Sequence, residues 1–580
     1  MNKTIEVVAA VISERVKKFI TFILCLFGLL AMAQDDNSNR LPLWLQELQN
    51  RNVGMIDSVV SFPADADAPD YRSYMIYYNQ PLLHAYPDGT RFHMRALVTV
   101  NIQNDITTAV NHVYFSGYSL SSEYLAKPDS VFRHVINRKN EIAHRYNANF
   151  IQLEHRYFQY SAPDECWTYL DPLTAEEAAA DFHNLITAMK KVLKGKWALS
   201  GVSKGGITTL LQHTFYPEDA DIFVPYSAPF FVSDRDTAMQ TYWYSSGLTK
   251  EYNDFFMTLR KAGLDENPDQ TKATNPIWSI YAKMSAKRNT PQHMDSVFGR
   301  YMNAVAEVGF LEHAYEDSAS IRAMLVKNDS ILRAHHWTGY NDTAIAYIYL
   351  ADVIQLDGID EWLDALRNKR QPQAPARHSH MPFGVTEKEW WEQDKEHLEL
   401  GSAYEYQSKR ELGYYDHRFD LIAATTEAAD AYNAYWKEKV GCARNISEPY
   451  FADLPFSPNL YNSAMEATRN ASKPIVLLYG QDDTWTGAAV KDEFVNGTNV
   501  RKFILPEQNH WLQFNSDTDL TQCNAIRDML DEVLGAPQGI APIGNQQEQN
   551  RTGTRKVLRD GQLYLNYNGH LYDVRGTRLQ

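Results

Sequence analysis

Cysteine is scarce in this chain of 580 residues, which contains only four. Cys25 belongs to the N-terminal segment, so Cys166, Cys442 and Cys523 remain, and these three can form at most one disulfide. The sequence does not fix which pair forms it. The chain also lacks Cys-x-x-Cys and His-Glu-x-x-His motifs and a glycine-rich phosphate loop. We therefore expect a protein whose chemistry needs no metal and no other cofactor.

Positive charge is in the minority, with 56 Lys and Arg against 72 Asp and Glu and a net charge of -16. Such a surface repels the phosphates of nucleic acids, so we expect no nucleic-acid partner. It attracts cationic ligands instead, including the charged amine of a peptide. The charge says nothing about oligomeric state.

A secretory signal is predicted for residues 1–33. The apolar stretch Phe19–Leu30 is too short to span a membrane comfortably. It follows the basic residues at positions 15–18 and precedes the small-residue cleavage site Ala31-Met-Ala33. We expect an exported protein, periplasmic, extracellular or on the cell surface, without a membrane span after the signal is removed.

The length of the chain exceeds what one ordinary hydrophobic core accommodates, so two domains are expected. Hydrophobic residues make up 44% of the chain, and its 35 tyrosines suit a cleft for an extended ligand. We predict a discontinuous catalytic domain, a helical cap inserted into it, and a linker with a C-terminal hairpin. The boundaries are 34–235 and 471–540 for the catalytic domain, 236–470 for the cap and 541–580 for the tail.

Short apolar strands alternate with helical patterns in the catalytic domain, which predicts an α/β fold with a mainly parallel sheet. Thr174 and Glu177 form a capping-box pattern that begins a helix with a buried face at Phe182, Leu185, Ile186, Met189 and Leu193. Residues 34–70 show no clear periodicity. The predicted strands are Tyr74–His84, Arg91–Ile102, His112–Gly117, Asn149–Glu154, Trp197–Ser200, Ile222–Tyr226, Pro474–Gly480 and Lys502–Leu505.

The cap is predicted from about 240 residues that separate two strands, far more than a loop needs. Helical patterns occur at Thr343–Leu356, at Thr425–Val440 and between Met294 and Val308, where the apolar side chains fall on one face. In the tail, Ala536–Gly553 has the composition of a linker. A hairpin is then predicted from Val557–Leu565 and His570–Val574 across the Asn568-Gly569 turn.

Ser203 is the candidate nucleophile. The segment from Trp197 to Ile207 is an apolar strand that turns at Gly-Val-Ser-Lys-Gly into a helix, a layout that exposes one hydroxyl. The alternative is that Ser203 only caps the helix. A nucleophilic serine needs a base and an acid, and His510 and Asp483 follow later strands in the Ser, Asp, His order of α/β-hydrolases. Taken alone, His510 fits an ordinary surface or core histidine better.

The oxyanion of an acyl-transfer reaction needs two hydrogen-bond donors. We assign one to the backbone N–H of Lys204, the residue after the nucleophile. The other is expected in the loop after the third strand, at Gly117-Tyr118. The side chain of Lys204 has no evident role in this scheme.

The chain resembles the secreted prolyl tri- and tetrapeptidyl aminopeptidases of bacteria, which are distantly similar to lysosomal Pro-X carboxypeptidase and dipeptidyl peptidase II. The combination of Glu-His-Arg-Tyr-Phe with a later Ser-Lys-Gly-Gly is specific, because lipases and esterases generally do not share it. The resemblance runs from about residue 70 to about residue 535. Its motifs are Tyr78–His84, Gly89-Thr90, Leu153–Phe158, Cys166–Leu170, Gly201–Gly206, Phe215–Asp219, Tyr226, Ala228-Pro229, Glu411–Tyr414 and Gly480–Trp485.

This resemblance implies an α/β-hydrolase with a helical insertion that removes short peptides from free N-termini and cuts after proline. Such an enzyme needs a carboxylate for the substrate amine, and Glu154 and Glu411 are the candidates; for Glu154 the alternative is a buried ion pair with Arg156 or another arginine. Trp485 and Trp511 are candidate walls of a proline pocket, or core residues.

The sequence departs from the family pattern at two places. Gln159-Tyr160 stands where a small residue usually follows the phenylalanine, and Thr484 stands where proline is common. Both changes put a strict preference for proline in question. A carboxylesterase or lipase is the alternative function, and a non-catalytic binding module ranks below it because all three triad residues are present.

Overall fold

The computed structural model describes twelve segments of the chain. These are residues 41–64, 69–120, 141–163, 170–245, 250–285, 291–307, 398–436, 455–515, 520–537, 555–559, 562–567 and 570–572. The predicted signal, Cys166, Cys442 and the helical pattern Thr343–Leu356 lie outside the described residues.

A nine-stranded mixed sheet forms the centre of the described structure. The spatial order of its strands is β1-β2-β3-β5-β4-β6-β7-β8-β9. The pairs β1–β2, β2–β3 and β3–β5 are antiparallel, and every other neighbouring pair is parallel. The strands are β1 Ile56–Ser61, β2 Tyr71–Pro81, β3 Arg91–Asn101, β4 Asn111–Phe115, β5 Asn149–Leu153, β6 Trp197–Val202, β7 Ile222–Tyr226, β8 Ile475–Gly480 and β9 Val500–Leu505.

The middle strands of the sheet are buried along their whole length. Every residue of β4, β5, β6, β7 and β8 is buried, as expected for short apolar parallel strands with helices on both faces. This arrangement, with the order β5-β4-β6 beside an antiparallel hairpin, is that of an α/β-hydrolase. The predicted fold class is confirmed.

Helices cover both faces of the sheet, and α3 delivers the chain to β6. Thr174 caps α3 by accepting a hydrogen bond from the Glu177 N–H, and the five predicted apolar residues of its inner face are buried. The carboxylate of Glu177 does not complete the capping box but accepts from the His84 N–H at 2.9 Å. The helices of this layer are α1 Leu43–Arg51, α2 Glu141–Tyr146, α3 Ala175–Lys190 and α4 Lys204–Phe215.

Further helices lie between β7 and β8, where the cap was predicted, and many of their apolar side chains join a separate core around Trp243, Trp278 and Tyr301. The predicted buried face of α9 is confirmed for Val297, Phe298, Tyr301 and Val305, while Val308 lies outside the described residues. The helices are α5 Ala238–Ser245, α6 Lys250–Gly263, α7 Pro268–Thr274, α8 Pro276–Ser285, α9 Pro291–Glu307, α10 Leu398–Gln407, a π-helix Ser408–Leu412, α11 Phe419–Ile422, α12 Thr426–Tyr435 and α13 Asn459–Arg469.

Two regions differ from the sequence-based expectation. Residues 34–70, predicted to be irregular, contain α1 and β1, because Trp44, Leu45 and Leu48 pack into the main core and β1 pairs with β2. After the last helix, α14 Leu520–Leu534, the tail forms three strands instead of a two-stranded hairpin. The predicted long strand is divided at positions 560–561, where Asp-Gly is itself a hairpin turn signal. The strands are β10 Arg555–Arg559, β11 Gln562–Tyr567 and β12 His570–Tyr572.

None of the helices within the described segments has both the length and the apolar character that crossing a bilayer requires.

Candidate active site

Ser203 lies in a sharp turn between β6 and α4. Its backbone has φ 59° and ψ -123°, a conformation that non-glycine residues rarely adopt and that costs strain energy. The turn is tight, because a Cβ added to Gly205 would lie 2.2 Å from the carbonyl oxygen of Phe115. The Ser203 side chain makes no capping hydrogen bond to α4. The alternative that Ser203 serves as a helix cap therefore lacks its defining contact.

Asp483 and His510 are bonded to each other in the buried interior. The Nδ1 of His510 donates to Oδ2 of Asp483 at 2.9 Å, and the two residues are 2% and 0% exposed. The other Asp483 oxygen accepts from the Trp485 N–H at 3.0 Å. A histidine held in this way keeps its Nε2 as the basic nitrogen, which is the tautomer that a general base needs.

The turn at Ser203 and the loop that carries His510 meet through the end of β7. The Ser203 N–H donates to the Tyr226 carbonyl at 3.0 Å, and the hydroxyl of the next residue, Ser227, lies 3.4 Å from the His510 carbonyl oxygen. Since Ser203, Asp483 and His510 follow the parallel strands β6, β8 and β9, all three lie at the same edge of the sheet. This is the edge where active groups gather in open α/β sheets.

The predicted oxyanion residues also meet at this edge. Gly117 has φ +75°, and a Cβ on it would lie 2.5 Å from the nitrogen of Gly205 and 2.9 Å from the carbonyl carbon of Lys204. The loop after β4 thus lies directly against the first turn of α4, and no side chain larger than hydrogen fits there. Within the described segments, neither the Gly117 N–H nor the Lys204 N–H donates to a protein acceptor. The Tyr118 N–H, in contrast, contacts Ser116 Oγ at 3.3 Å.

The side chain of Lys204 is buried, a feature that the sequence did not suggest. It is 2% exposed, and its ammonium group donates to the Gly117 carbonyl at 2.6 Å. The rings of Tyr118 and Phe158 lie 5.4 and 5.1 Å from Nζ. Burial lowers the pKa of Lys204 to about 7, and the carboxylate of Glu411 opposes this shift.

Glu154 lies in an ion pair, as one of the two interpretations expected, but its partner is Arg95 and not Arg156. The guanidinium donates to both oxygens of Glu154 at 2.8 and 2.7 Å, with both side chains buried. The Ser161 hydroxyl and the Leu120 N–H donate to the same carboxylate, each at 2.8 Å. Its oxygens are fully occupied, so the structure gives no support to Glu154 as an amine site.

The unusual residues Gln159 and Tyr160 belong to the same cluster. Gln159 Oε1 accepts from Arg95 at 2.9 Å, and the exposed Tyr160 ring lies 4.3 Å from the Arg95 guanidinium. Arg156 is buried elsewhere and pairs with Asp181 at 2.7 Å.

Glu411 lies in the π-helix, at the junction between the inserted helices and the sheet. Its Oε1 accepts from the Ala175 N–H, the first residue of α3, at 2.7 Å. Burial raises the pKa of Glu411 to about 7, and the bond from Ala175 and the charges of Arg410 and Lys204 oppose this shift. Of the two predicted carboxylates, Glu411 is the one that keeps part of its surface exposed.

Trp485 and Trp511 are placed differently. Trp485 is 6% exposed and its ring centroid lies 5.9 Å from that of His510, whereas Trp511 is 39% exposed and lies 5.5 Å from His510. Four aromatic rings, which we call the aromatic arc, connect the oxyanion loop with the base. Successive centroids are 5.5, 6.0 and 6.3 Å apart, in the order Tyr118, Tyr404, Tyr414, Trp485.

Sequence reasoning missed Tyr404, the Lys204 side chain and Ser227 as parts of this site. Tyr118, Tyr414 and Trp485 of the aromatic arc lay within segments already identified. Tyr404 did not, because its contacts join residues far apart in the sequence. In the described part of the chain, no group of three or more His, Cys, Asp or Glu side chains has an arrangement that could hold a metal ion.

Comparison with known proteins identifies a family model that matches part of the chain and a related enzyme. The model of the PS-10 peptidase S37 family matches residues 51–318. The prolyl tri/tetrapeptidyl aminopeptidase of Streptomyces mobaraensis is 23% identical over 485 residues, which cover 81% of this chain and 82% of that protein.

Similar solved structures include the peroxisomal alpha-beta-hydrolase Lpx1 from Saccharomyces cerevisiae, which is 11% identical in sequence. The match covers 83% of this chain and 94% of that chain, with a TM-score of 0.32. The proline iminopeptidase from Mycobacterium smegmatis has 10% identity, covers 82% of this chain and 98% of its own, and has a TM-score of 0.28. The family match and the aminopeptidase relative decide the class: the chain is a serine peptidase.

Proposed function

We propose that this serine peptidase is an exported exopeptidase that removes short peptides, of three or four residues, from free N-termini and prefers to cut after proline. The observation that carries the proposal is the buried Asp483–His510 pair beside the strained turn at Ser203. The Streptomyces relative, a prolyl tri/tetrapeptidyl aminopeptidase, supports the substrate class.

The mechanism follows from the geometry of these residues. Ser203 Oγ attacks the scissile carbonyl while His510 accepts its proton, and Asp483 orients the imidazole and stabilises the imidazolium. The backbone N–H groups of Lys204 and Gly117 stabilise the oxyanion. His510 then donates its proton to the leaving amine. Water hydrolyses the acyl-enzyme by the same route and releases the short N-terminal peptide.

The aromatic arc supports the preference for proline. A pyrrolidine ring is apolar and flat, and it packs well against aromatic faces. Trp485 contributes a wall next to His510, and its indole N–H has no acceptor within the described residues. Tyr404 and Tyr414 come from the inserted segment, so we propose that residues 236–470 form a cap that shapes the substrate pocket.

Glu411 is the proposed site for the substrate amine. It lies between the cap and the sheet, and its negative charge is close enough to Lys204 to influence the pKa of that residue. The net charge of -16 would also favour a cationic N-terminus.

Mass analysis of peptide products tests this function. Peptides with proline at position two, three or four, with free or acetylated N-termini, are incubated with the wild type, with Ser203→Ala and with Ser58→Ala, a control at an exposed serine on β1. We expect release of tri- or tetrapeptides ending in proline from free N-termini only, by the wild type and the control. Equal cleavage of acetylated peptides, or hydrolysis of esters alone, would exclude the aminopeptidase function.

Glu411→Gln tests the amine site in the same assay. The variant keeps the shape and one acceptor of the side chain but lacks its charge. We expect KM to rise for peptides with a free N-terminus. An unchanged KM would place amine binding elsewhere.

A further inference from the structure

The loop after β4, which carries the candidate oxyanion donor, is anchored at three points between Gly117 and Leu120. The Leu120 N–H donates to Glu154 at 2.8 Å, and the Tyr118 carbonyl accepts from the His155 N–H at 3.0 Å. The third point is Gly117 itself, whose carbonyl accepts from the Lys204 ammonium at 2.6 Å. Only this last contact acts directly on Gly117, the candidate donor, which lies against the first turn of α4.

We propose that the side chain of Lys204 is a positioning residue for the oxyanion site: through its hydrogen bond to the Gly117 carbonyl it holds the Gly117 N–H beside the N–H of Lys204 itself. This inference rests on the proposed role of Ser203 as the nucleophile. It assigns to one residue two separate tasks, donation by its main chain and orientation of the second donor by its side chain.

Gly117 needs such an anchor because glycine has an unusually wide conformational range. Its φ of +75° lies in a region that glycine enters easily and leaves easily, so the local chain does not define the direction of its N–H. A hydrogen bond to its carbonyl fixes the peptide plane on one side of the Cα atom. With that plane fixed, the direction of the Gly117 N–H depends only on the two backbone torsions of Gly117, and no longer on movement of the residues that follow it.

The surroundings of the ammonium group make this contact strong. Lys204 is removed from solvent by Tyr118 and Phe158, so water does not compete for the Gly117 carbonyl. No other donor in the described structure contacts that carbonyl. Loss of the amine would leave a buried carbonyl unsatisfied and the donor loop free to shift. A cavity of about 10 Å³ beside Lys204 is too small to admit a substrate group.

The chemistry of acyl transfer makes such a shift costly. An oxyanion donor acts only when it lies at hydrogen-bond distance from the oxygen of the transition state, and loss of one donor costs about a hundredfold or more in turnover. A positioning residue acts on the same step through its partner. Removal of Lys204 should therefore lower kcat by roughly tenfold to a hundredfold with little change in KM.

Kinetic comparison of Lys204→Met, Lys204→Arg and Lys204→Gln tests the proposal. Methionine keeps the length and apolar stem but has no donor, while arginine and glutamine each keep N–H groups. Thr208→Val is the matched control, since Thr208 lines the same small cavity and donates to the Lys204 carbonyl but does not contact Gly117. All variants are first compared with the wild type by thermal unfolding.

Two probes separate positioning from general damage. A peptide aldehyde forms a tetrahedral adduct with a nucleophilic serine and uses the oxyanion donors, whereas the product peptide does not. We expect Lys204→Met to lower the affinity for the aldehyde by the same factor as it lowers kcat/KM, and to leave the affinity for the product peptide unchanged. Lys204→Arg should recover part of the lost aldehyde affinity and of the lost kcat/KM. Thr208→Val should match the wild type.

Three outcomes would overturn the proposal. They are full activity of Lys204→Met, an equal loss of affinity for the aldehyde and for the product peptide, or equal kcat/KM values in the variants with and without a side-chain donor. If Lys204→Met does not fold, the aldehyde-to-product ratio of Lys204→Gln and Lys204→Arg decides. Failure of the proposed function is distinguishable, because wild type would then show no Ser203-dependent aldehyde adduct.

Discussion

The hydroxyl of Tyr226 donates to Oε1 of Glu141 at 2.9 Å in the protein interior. Glu141 also accepts from the Phe514 and Asn515 N–H groups, both at 3.2 Å. Tyr226 ends the strand beside Ser203, and Phe514 and Asn515 belong to the loop that follows His510. One buried carboxyl group therefore joins the two halves of the candidate active site.

Stability should depend on pH through Glu141. Burial raises the pKa of this carboxyl from 4.5 to about 8, although its hydrogen bonds oppose the shift. Between these two values the folded protein holds a proton that the unfolded chain has lost, so the contribution of Glu141 to stability is fully present below pH 4.5 and declines as the pH rises to about 8.

Urea unfolding of wild type and Glu141→Gln at pH 5 and pH 9 measures this effect. We expect the free energy of unfolding to fall less between these pH values in the variant, because glutamine does not ionise. Glu466→Gln, at an exposed carboxylate, is the control and should behave as wild type. If the free energy of unfolding fell equally between pH 5 and pH 9 in the wild type and in Glu141→Gln, groups other than Glu141 would be its cause.

Asp483→Asn should lower kcat by about four orders of magnitude, because an amide at this position favours the wrong tautomer of His510. KM should change little, since the triad acts on the chemical step. The neighbouring Asp482→Asn is the matched control and should retain activity. Steady-state kinetics on a proline peptide test both variants, and equal losses would leave the identity of the acid open between the two residues.

Trp485→Leu should reduce the preference for proline. The indole forms one end of the aromatic arc and lies against His510, and loss of about 1 kcal/mol of ring packing corresponds to a several-fold change in kcat/KM. We expect kcat/KM to fall more for peptides with proline before the cut than for those with alanine. Trp511→Leu, at a more exposed ring, should have the smaller effect. An unchanged proline-to-alanine ratio in Trp485→Leu would make Trp485 a core residue only.

Glu154→Gln should destabilise the protein by about 3–5 kcal/mol, because it leaves the Arg95 guanidinium buried without its counter-ion. Chemical denaturation measures the loss. The double variant Arg95→Met with Glu154→Gln should recover part of it, since no buried charge remains. If Glu154→Gln were as stable as the wild type but had a raised KM for free N-termini, the amine site would belong to Glu154 after all.

The nucleophile turn could be predicted from sequence because its determinants are local. An apolar strand, small residues around Ser203 and a following helix occupy about ten consecutive positions, and the structure places the turn there. The same holds for the cap of α3 at Thr174. The strands before Asp483 and His510 were also predicted, because both are short apolar runs. β8 is buried along its whole length, whereas β9 lies at the sheet edge and is only partly buried.

The features of the site that could not be predicted from the sequence depend on contacts between residues far apart in the chain. Nothing near Glu154 in the sequence indicates that Arg95 is its partner, and nothing near Lys204 indicates the carbonyl of Gly117. Tyr404 faces Tyr118 only because the inserted helices pack against the sheet. The prediction for the tail is wrong for a different reason: it places a turn at Asn568-Gly569 but none at the equivalent signal Asp560-Gly561.

The insertion between β7 and β8 has a consequence for biosynthesis. These strands are hydrogen-bonded neighbours, yet the whole segment from Tyr226 to Ile475 must leave the ribosome before they can pair. Until then β7 is an open strand edge with apolar surroundings, the kind of surface that recruits other chains. Closure of the sheet at β7 therefore has to wait until the insertion and β8 have been synthesised.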